Sequence, residues 1–371
     1  MEKNALHAQK RVDMAHNRTK ITLKMIAEKA GTSIGTVDRA LMGRSGIHPA
    51  TKERILQVAQ ELGYKPNRFA SALGRKRTVR IGLVYPHHPL GFYREIDQGA
   101  DCAAEELAQY GVVVEKIYHH SQNPLEQGAL LRGIDPARYD GLAVNSAGHP
   151  SALEIDRLVR EKLPVITFNT DAPESARLFF IGNNSQQSGR MGAELLSRFL
   201  GGRGDVTIMG NFIQANPFSA RFGGFCEVIH SEFPDVRLFP CAECNSDPQL
   251  AAQSLLDALT QMPHLHGVFC TGYSSTTGAI AALRQLGRKD VVLVGFDTGD
   301  GLLGALEEGW CDALLFQDPF RQAYQAAHLL ARHILEGWLP PQPLLHIDTS
   351  IVLRQNLSSY LETGSSFDRY L

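Results

Sequence analysis

The sequence predicts a two-lobed α/β core, with a parallel sheet in each lobe, preceded by a small all-α helix-turn-helix domain. Three observations support this fold class. Apolar, β-branched segments alternate with helical segments after residue 80, as in parallel sheets that are covered on both faces. About ten such strands are too many for a comfortable single sheet, which favours two stacked lobes. Within residues 20–64 the chain carries three short helical patterns.

Three helices are predicted within residues 20–64, where apolar residues recur at helical spacing over three segments. These segments are 22–30, 33–41 and 49–62. The hydroxyl of Thr22 can accept an orphan backbone N–H at the start of the first helix, and Pro49 suits the first turn of the third. The turn at 31–33 and the short second helix indicate a helix-turn-helix, whose second helix faces outward and enters a DNA major groove.

Positive charge is concentrated near the N-terminus. Residues 18–80 hold 14 Lys and Arg against four acids, a net charge of +10, whereas residues 81–371 carry −13. An ordinary solvated surface is the alternative, but a contrast this wide favours a polyanion partner for the first part only. Within this basic part, Asn67 to Leu73 show a brief helical pattern that is too short to be stable alone. We expect a linker that becomes helical on contact.

After residue 80, strands and helices alternate in sequence order. Strands are predicted at "VRIGLVYP", "GVVVEKIYHH", "DGLAVNS", "LPVITFNT", "LFFIGNN", "DVTIMG", "VRLFPC", "HGVFCTG" and "VVLVGFD". Helices are predicted at 94–110, from Pro124, from Ser151, and at 186–200, 219–233, 248–262, 275–286 and 300–308. Ligands of such sheets bind outside the carboxyl ends of the strands, so residues that follow strands are the candidate contacts.

Bulk properties exclude several classes of protein. No apolar run approaches the ~20 residues needed to span a bilayer, and we predict no membrane association. Residues 1–19 are polar throughout and predict a disordered leader on a cytoplasmic protein. Among six cysteines, Cys241 and Cys244 form a C-x-x-C without the second ligand pair of a zinc site. We interpret the cysteines as reduced structural thiols, with a redox pair as the alternative, and predict no metal and no cofactor.

Two regions of this sequence resemble the LacI family of transcription regulators. The first is "ITLKMIAEKAGTSIGTVDRAL…ATKERILQVAQELGYKPNRFASAL", which includes a "GYKPNRFASAL" hinge; the second comprises "VVLVGFD" and "LLFQDPFRQAYQAAHLL". The resemblance implies a DNA-binding regulator, expected to be a repressor, whose effector domain is similar to periplasmic sugar-binding proteins. Phe92-Tyr93 after the first strand is closer to the ribose-binding type.

The resemblance also implies a domain organisation. Its segments are a leader (1–19), a helix-turn-helix domain (20–64), a hinge helix or linker (65–79), an effector-binding and dimerisation domain (80–357) and a tail (358–371). Lobe 1 is assigned to 80–182 and 318–343, and lobe 2 to 183–317 and 344–357. The implied assembly is a homodimer on a pseudo-palindromic operator. No heptad repeat follows residue 357, so a tetramer is not expected.

The family's DNA contacts carry over onto matching positions of this chain. These are Thr22, Lys24, Ser33, Ile34, Gly35, Thr36, Arg39, Asn67, Arg68, Ala70 and Leu73. The resemblance implies that Leu73 enters the minor groove as a wedge and kinks the duplex. Gly35 stands where many relatives carry a base-reading side chain, so we expect direct readout from the other residues of the second helix.

Seven residues are candidate effector contacts. They are Phe92, Tyr93, Asn145, Asn169, Arg221, Asp297 and Gln317. Arg221 can bond hydroxyls or a carboxylate, with a surface arginine as the alternative. Asp297 can accept two sugar hydroxyls or cap the next helix, and Gln317 is expected at a lobe crossing, where it binds the effector or forms a hinge hydrogen bond. For the aromatic pair, sugar stacking competes with core packing. His149, in "NSAGHP", can substitute for the acid of pentose-binding relatives, with a structural histidine as its alternative.

This set favours a neutral or mildly anionic monosaccharide or derivative over a purine base, which needs fewer converging polar groups. A nucleobase-responsive regulator of the same architecture and a plain solute-binding protein are the alternatives. The latter would not need a basic N-terminal domain. An enzyme is disfavoured because "GYSST" lacks the closing glycine of a nucleophile elbow, and neither a P-loop nor an H-E-x-x-H motif occurs.

Overall fold

The computed structural model describes residues 22–41, 46–62, 78–120, 123–210, 216–299 and 301–361. These residues belong to two compact units, divided between positions 71 and 72. The predicted leader, the helical pattern of the hinge and four of the predicted DNA contacts lie outside the described residues. Those four contacts are Asn67, Arg68, Ala70 and Leu73.

The first unit contains the three predicted helices. They are α1 (Leu23–Ala30), α2 (Ile34–Leu41) and α3 (Pro49–Glu61). The hydroxyl of Thr22 accepts a backbone N–H of the first turn of α1, and Gly31, with a φ of 63°, ends that helix in a left-handed turn. Apolar side chains of all three helices share one core, in which Ile26, Val37 and Ile55 are fully buried. Because α1 and α3 supply most of this core, one face of α2 stays exposed.

Lobe 1 of the second unit is built on a parallel sheet. Its strands are β1 (Val79–Pro86), β2 (Val112–His119), β3 (Gly141–Val144), β4 (Val165–Phe168), β5 (Phe180–Gly182) and β11 (Leu344–His346), in the order β11-β5-β4-β3-β1-β2. Helices α4 (Leu90–Ala108) and α12 (Pro319–Glu336) pack as one pair, and α5 (Pro124–Arg132) and α6 (His149–Arg160) as a second. The apolar strands are therefore buried between helix layers.

Lobe 2 repeats this architecture. Its strands are β6 (Gly204–Gly210), β7 (Val236–Glu243), β8 (Gly267–Cys270), β9 (Val292–Phe296), β10 (Ala313–Phe316) and β12 (Ser350–Val352), in the order β12-β10-β9-β8-β6-β7, with only β12 antiparallel to its neighbour. Helices α7 (Ser185–Phe199) and α8 (Asn216–Glu232) pack together, and α9 (Pro248–Gln261), α10 (Tyr273–Leu286) and α11 (Leu302–Glu307) border a separate apolar core. A short helix, α13 (Ser358–Leu361), ends the described chain.

The chain crosses between the lobes three times, after β5, after β10 and between β11 and β12. Two of these crossings are joined by polar side chains. Ser188 Oγ lies 2.8 Å from Thr349 Oγ1, and Asn183 Nδ2 donates to both hydroxyls. The remaining crossing, at 317–318, joins β10 to α12 and lies at the carboxyl end of its strand.

Two predicted boundaries differ from the structure. The sequence assigns 344–357 to lobe 2, but β11 pairs with β5 and supplies a partner for the backbone at that edge of the lobe 1 sheet. The predicted tail from residue 358 begins with α13, whose Tyr360 ring lies 5.6 Å from the Phe316 ring of lobe 2. Both segments are too short to show a period in the sequence.

The predicted fold class, two parallel-sheet lobes after a helix-turn-helix, is confirmed. Strands β1 to β9 coincide with the predicted segments to within a few residues, whereas β10, β11 and β12 were not predicted as strands. No helix of the described segments is both long enough and apolar enough to cross a bilayer.

Replacing Ile55 with alanine should unfold the first unit alone. This side chain is fully buried in a core to which the described segments contribute eight buried residues. Ile→Ala costs about 2–5 kcal/mol, which a unit this small does not have to spare. Hydrogen exchange of the full chain should lose protection across residues 22–62 and keep it after residue 78. Leu56→Ala, at a neighbour that is 43% exposed, is the matched control. Equal loss in both variants would contradict the assignment of this core.

Candidate functional site

The exposed face of the helix-turn-helix is the first candidate site. Thr22, Lys24, Ser33, Ile34, Gly35 and Arg39 are exposed, and Thr36 is half-buried. Ser33 begins α2, because its hydroxyl accepts the backbone N–H of Thr36 at 3.2 Å and lies 2.8 Å from the Thr36 hydroxyl. Ile34 is 49% exposed although it is apolar. This face offers hydroxyls, an arginine fork and an apolar side chain, the groups that contact phosphates, guanine and the thymine methyl in a major groove.

The second candidate site is a cavity between the two lobes, at the carboxyl ends of both sheets. All seven predicted effector contacts line it: Phe92, Tyr93, Asn145, Asn169, Arg221, Asp297 and Gln317. Lobe 1 supplies the first four from α4 and from the ends of β3 and β4, and Arg221 and Asp297 come from lobe 2. The location agrees with the rule that open α/β sheets bind ligands beyond their strand ends.

Arg221 lies in α8 with its side chain turned into the cavity wall, where it is only 3% exposed. One terminal nitrogen donates to the carbonyl of Thr271 at 2.6 Å and the other to Gln317 Oε1 at 2.9 Å. The guanidinium carbon lies 4.0 Å from the centroid of the Phe296 ring, within cation–π range. Its Nε has no hydrogen-bond partner among the described residues. The arginine is therefore a buried cation with one unused donor, and the surface alternative does not apply.

Asp297 follows β9 and is bridged to Arg221 by Gln317. Gln317 Nε2 donates to Asp297 Oδ1 at 2.8 Å while its Oε1 accepts from the arginine. The Asp297 carboxylate also accepts the backbone N–H of Tyr273, the first residue of α10. Helix α11 instead begins after Gly301, so Asp297 does not cap the next helix in sequence. Gln317 therefore forms hydrogen bonds at the lobe crossing and also lines the cavity, so the two interpretations of this residue do not exclude each other.

Burial shifts the pKa values of both charged groups toward their neutral forms. It raises the pKa of Asp297 to about 6, against the hydrogen bond from Gln317 and the positive charge of Arg221. It lowers the pKa of Arg221 to about 10, which the charge of Asp297 partly offsets. Arg221 is thus a cation at neutral pH, and Asp297 changes charge close to the physiological range.

Two asparagines belong to the polar part of the lobe 1 wall. Asn145 follows β3 and Asn169 follows β4, and Asn145 Nδ2 donates to Asn169 Oδ1 at 2.9 Å. Both side chains are over nine-tenths buried. His149, by contrast, is the first residue of α6, with an exposed side chain 3.8 Å from Glu174, and it does not line the cavity. The suggestion that His149 substitutes for a ligand-binding acid is therefore wrong for this conformation, because its helix directs it outward.

Aromatic rings lie on both sides of the cavity. Phe92 and Tyr93 line it from α4, and their ring centroids are 5.0 Å apart. The Tyr93 ring also stacks on Tyr85 of β1 at 6.4 Å, so packing and cavity lining are combined in one side chain. From lobe 2, Phe218 and Tyr273 complete the set. Apolar ring faces opposite hydrogen-bonding groups suit a ligand with both C–H faces and hydroxyl edges.

Several cavity residues were missed by sequence reasoning. They are Ser146, Thr170, Phe218, Cys244, Ser246, Gly272, Tyr273, Ser274 and Ser275. The segment "GYSST" was weighed only as a nucleophile elbow, although it follows β8 and its position alone marks it as a candidate. Cys244 is a buried cysteine, and burial raises the pKa of its thiol to about 11, which does not favour the redox alternative. The side chain of Cys241 lies outside the described part of the chain.

Left-handed backbone at residues other than glycine is concentrated around this cavity. Asn169, Ser246 and Asp297 line it with φ values of 59°, 60° and 71°, and Asn245 and Asp318 are their neighbours with values of 44° and 57°. Only Lys162 has such a value elsewhere among the described residues. Such conformations cost roughly 1–3 kcal/mol each and persist where the surrounding structure fixes side-chain directions, as at functional sites.

The lobes touch beside the cavity, where Gly91 of lobe 1 meets Tyr273 of lobe 2. A Cβ atom added to Gly91 of α4 would lie 2.1 Å from the Tyr273 hydroxyl, and one added to Gly299 would lie 2.5 Å from the carbonyl of Gly91. The Thr298 hydroxyl donates to Glu95 Oε1 at 3.3 Å across the same contact. The two glycines therefore allow the lobes to approach more closely than any side chain would permit. No cluster of possible metal ligands occurs among the described residues.

Comparison with known proteins identifies both parts of the chain. Residues 22–67 match the description "bacterial regulatory proteins, lacI family", and residues 81–337 match "periplasmic binding protein domain". Similar proteins include the transcriptional repressor PurR of Pectobacterium carotovorum, 26% identical over 74% of this chain and 80% of its own length. The maltose regulon regulatory protein MalI of Escherichia coli is 26% identical over 73% of this chain and 77% of its own.

Solved structures of solute-binding proteins share the fold of the second unit. The glucose-galactose binding protein GanP of Geobacillus stearothermophilus superposes with a TM-score of 0.71 at 23% identity, over 76% of this chain and 99% of its own. A solute-binding protein of Burkholderia graminis, solved with D-arabinose, superposes with a TM-score of 0.71 at 20% identity, over 76% of this chain and 97% of its own. Sequence identities this low show that the proteins share a fold and nothing more.

Replacing Gly91 with alanine should hold the lobes apart. The added methyl group would overlap the Tyr273 hydroxyl, and because that ring is packed at the cavity wall the lobes must separate to accommodate it. We expect a larger radius of gyration by small-angle X-ray scattering, without loss of thermal stability. Gly223→Ala, at an exposed helical position with nothing within 4 Å, is the control. Identical scattering from all three proteins would show that this contact does not limit closure.

Proposed function

This chain belongs to the lacI family of bacterial regulatory proteins, and from that premise we propose that a small hydroxyl-rich effector, a monosaccharide or a derivative, binds its inter-lobe cavity and controls repression. The chain is a DNA-binding transcription regulator with a periplasmic-binding-protein domain. The observation that carries the effector proposal is the convergence of Arg221, Asp297 and Gln317 on the wall of one cavity between the lobes. Converging donors and acceptors of this kind fix the orientation of a small ligand in a pocket.

The charges of the wall favour a neutral effector over a strongly anionic one. Arg221 is the cation and Asp297 the anion of the cavity lining, so the lining has no net charge when both are ionised. The Arg221 fork would meet hydroxyl oxygens, whereas Asp297 would accept hydroxyl hydrogens. A group that both donates and accepts, as a hydroxyl does, satisfies the two sides together. A sugar acid would meet Arg221 well but would face Asp297 as a like charge.

The aromatic rings support a sugar-like shape. Phe92 and Tyr93 lie on the lobe 1 side, Phe218 and Tyr273 on the lobe 2 side. A pyranose or furanose ring would place its C–H face against these rings and its hydroxyls against Asn145 and the lobe 2 polar groups. A purine would fill the space between these aromatic rings, but it would leave several of the converging polar groups without a hydrogen-bond partner.

Control of DNA binding follows from the effector's contacts with both lobes. A ligand that bonds lobe 1 and lobe 2 together binds the closed conformation better than the open one and shifts the population toward it. We propose that the hinge, residues 65–79, transmits this shift to the helix-turn-helix domain, residues 20–64. One helix-turn-helix reads only a half-site, so we also propose a cytoplasmic homodimer on a pseudo-palindromic operator.

The proposed DNA contacts divide between two segments. On the helix-turn-helix they are Thr22, Lys24 and the exposed residues of α2, with Arg39 as the base-reading fork. In the hinge they are Asn67, Arg68, Ala70 and Leu73, the last as a minor-groove wedge. Readout by α2 would use Ile34 as its apolar contact, because Gly35 beside it has no side chain.

Removing Arg221 should abolish the effector response and spare DNA binding. The operator is first selected from a random-sequence library, and the effector from D-arabinose, D-ribose, D-galactose, D-glucose, D-fucose, myo-inositol, gluconate, guanine and hypoxanthine by thermal shift. Arg221→Ala and Asp297→Ala should each weaken effector binding by about ten- to a hundredfold in calorimetry, since each loses a charged hydrogen bond. Both variants should still bind the selected operator.

Two further variants control this experiment. Arg190→Ala removes an exposed arginine of lobe 2, paired with Glu227, and should leave the effector affinity unchanged. Leu73→Ala should do the reverse of Arg221→Ala, weakening operator binding and sparing the effector. Unchanged affinity in both cavity variants would remove this cavity from the proposal, and a response to guanine or hypoxanthine alone would replace the sugar with a nucleobase.

Effector affinity should fall as the pH decreases through the pKa of Asp297. Burial raises that pKa to about 6, and an effector hydroxyl that donates to the carboxylate favours its ionised form. Binding therefore lowers the pKa, so affinity is complete above it and decreases by up to about tenfold per pH unit below it. Calorimetry between about pH 5 and about pH 7.5 measures this slope. Asp297→Asn should give a flat profile, and a parent profile just as flat would exclude Asp297 as a hydroxyl acceptor.

A further inference from the structure

Four buried side-chain amides form a continuous hydrogen-bonded chain behind the lobe 1 wall. Gln322 Nε2 donates to the carbonyl of Gln317 at 2.6 Å, Asn169 Nδ2 donates to Gln322 Oε1 at 3.0 Å, and Asn145 Nδ2 donates to Asn169 Oδ1 at 2.9 Å. Gln127 Nε2 then donates to the backbone carbonyl of Asn145 at 2.7 Å. Gln127 and Gln322 are fully buried, and neither lines the cavity.

Backbone groups at both ends determine which way each amide points. A carbonyl oxygen can only accept, so the Gln317 carbonyl requires the Nε2 of Gln322 and leaves its Oε1 facing Asn169. A backbone N–H can only donate, so Ala147 N, 2.7 Å from Gln127 Oε1, orients Gln127 in the same way. The orientation of Asn169 and then of Asn145 follows from Gln322, because each acceptor must face a donor.

This order leaves the side-chain oxygen of Asn145 available as a hydrogen-bond acceptor. Asn145 donates one of its two Nδ2–H groups to Asn169, and no described residue donates to its Oδ1. Asn145 lines the cavity. The network therefore fixes where the Asn145 oxygen points, whereas an asparagine without such partners could place its oxygen or its NH₂ group there.

We propose that Gln322 is a positioning residue that fixes the orientation of the Asn169 and Asn145 side-chain amides. Asn145 then offers its side-chain carbonyl oxygen to the effector. The effector must then place a donor, a hydroxyl or an N–H group, at that point. The inference rests on the proposed function and adds a specificity requirement to it. Gln322 acts through Asn169 and Asn145 without touching the effector.

Gln322 also links the lobe 1 wall to the crossing from lobe 2, which contains Gln317. Gln317 bonds Arg221 and Asp297 through its side chain and Gln322 through its carbonyl. The orientation of the Asn145 amide therefore depends, through Gln322, on Gln317, which also bonds the charged groups of the opposite wall. Without Gln322, Asn169 loses its acceptor, and both asparagines can rotate to present donors to the cavity.

The test uses the full-length protein with Gln322→Met, which keeps an unbranched side chain of similar length and removes both hydrogen bonds. Gln325→Met, at a half-buried position of the same helix, is the control. The first measurement needs no effector: in ¹⁵N NMR spectra, the side-chain NH₂ signals of Asn145 and Asn169 should shift in Gln322→Met and stay in place in Gln325→Met. Unchanged signals in Gln322→Met overturn the proposal.

The second measurement reads specificity. Those monosaccharides of the panel above that bind the parent, and their monodeoxy derivatives, are titrated into all three proteins. Gln322→Met should bind each monosaccharide about tenfold more weakly than the parent does. One deoxy derivative lacks the hydroxyl that donates to Asn145, and for that derivative Gln322→Met and the parent should have equal affinities. An equal loss for every derivative, or no loss, overturns the proposal. If no panel sugar binds the parent, the proposed function fails, and the NH₂ signals alone decide whether Gln322 orients the asparagines.

Discussion

The burial of Arg221 is the constraint on which the cavity depends. Taking a guanidinium out of water costs several kcal/mol unless hydrogen bonds and opposite charge replace the lost solvation. The replacements come from separate strand ends: the Thr271 carbonyl after β8, Asp297 after β9 and Gln317 after β10, with the Phe296 ring alongside. The arginine can therefore be buried only where these parallel strands end together.

Gln317 connects this charged wall to the movement of the lobes. It lies at the crossing between β10 and α12, so any rotation of the lobes about their crossings acts on the residue that bridges Arg221 and Asp297. The close approach of Gly91 to Tyr273 joins the two lobes beside the cavity, which Tyr273 lines. Under the proposed function, effector binding would be coupled to lobe position, because Gln317 lies both in the cavity wall and at a crossing between the lobes. This physical arrangement is what a regulator needs if a small molecule is to change the behaviour of a separate DNA-binding unit.

Much of the site could be predicted because strand ends are visible in the sequence. Asn145, Asn169 and Asp297 each follow an apolar β-branched run, and a parallel sheet brings such ends to one edge. Tyr273 and Ser275 satisfy the same rule but were overlooked, since "GYSST" was judged only as a catalytic motif. Phe218 follows a segment with no strand signal of its own, and its place in the cavity depends on how α8 packs against α7.

By itself, the sequence determined the three-helix unit and the two-lobed parallel-sheet class, because periodicity, caps and charge distribution are local properties of the chain. The resemblance to the LacI family was also visible in the sequence, because it rests on the residues of the matching motifs. Only the tertiary structure decided that β11 joins lobe 1 and that Tyr360 packs on Phe316, since three-residue strands and single apolar contacts carry no period. It also decided that His149 points outward and that Asn145 presents its oxygen. Those directions depend on hydrogen bonds between residues far apart in sequence, such as Asn169 and Gln322, and a chain shows such partners only after it has folded.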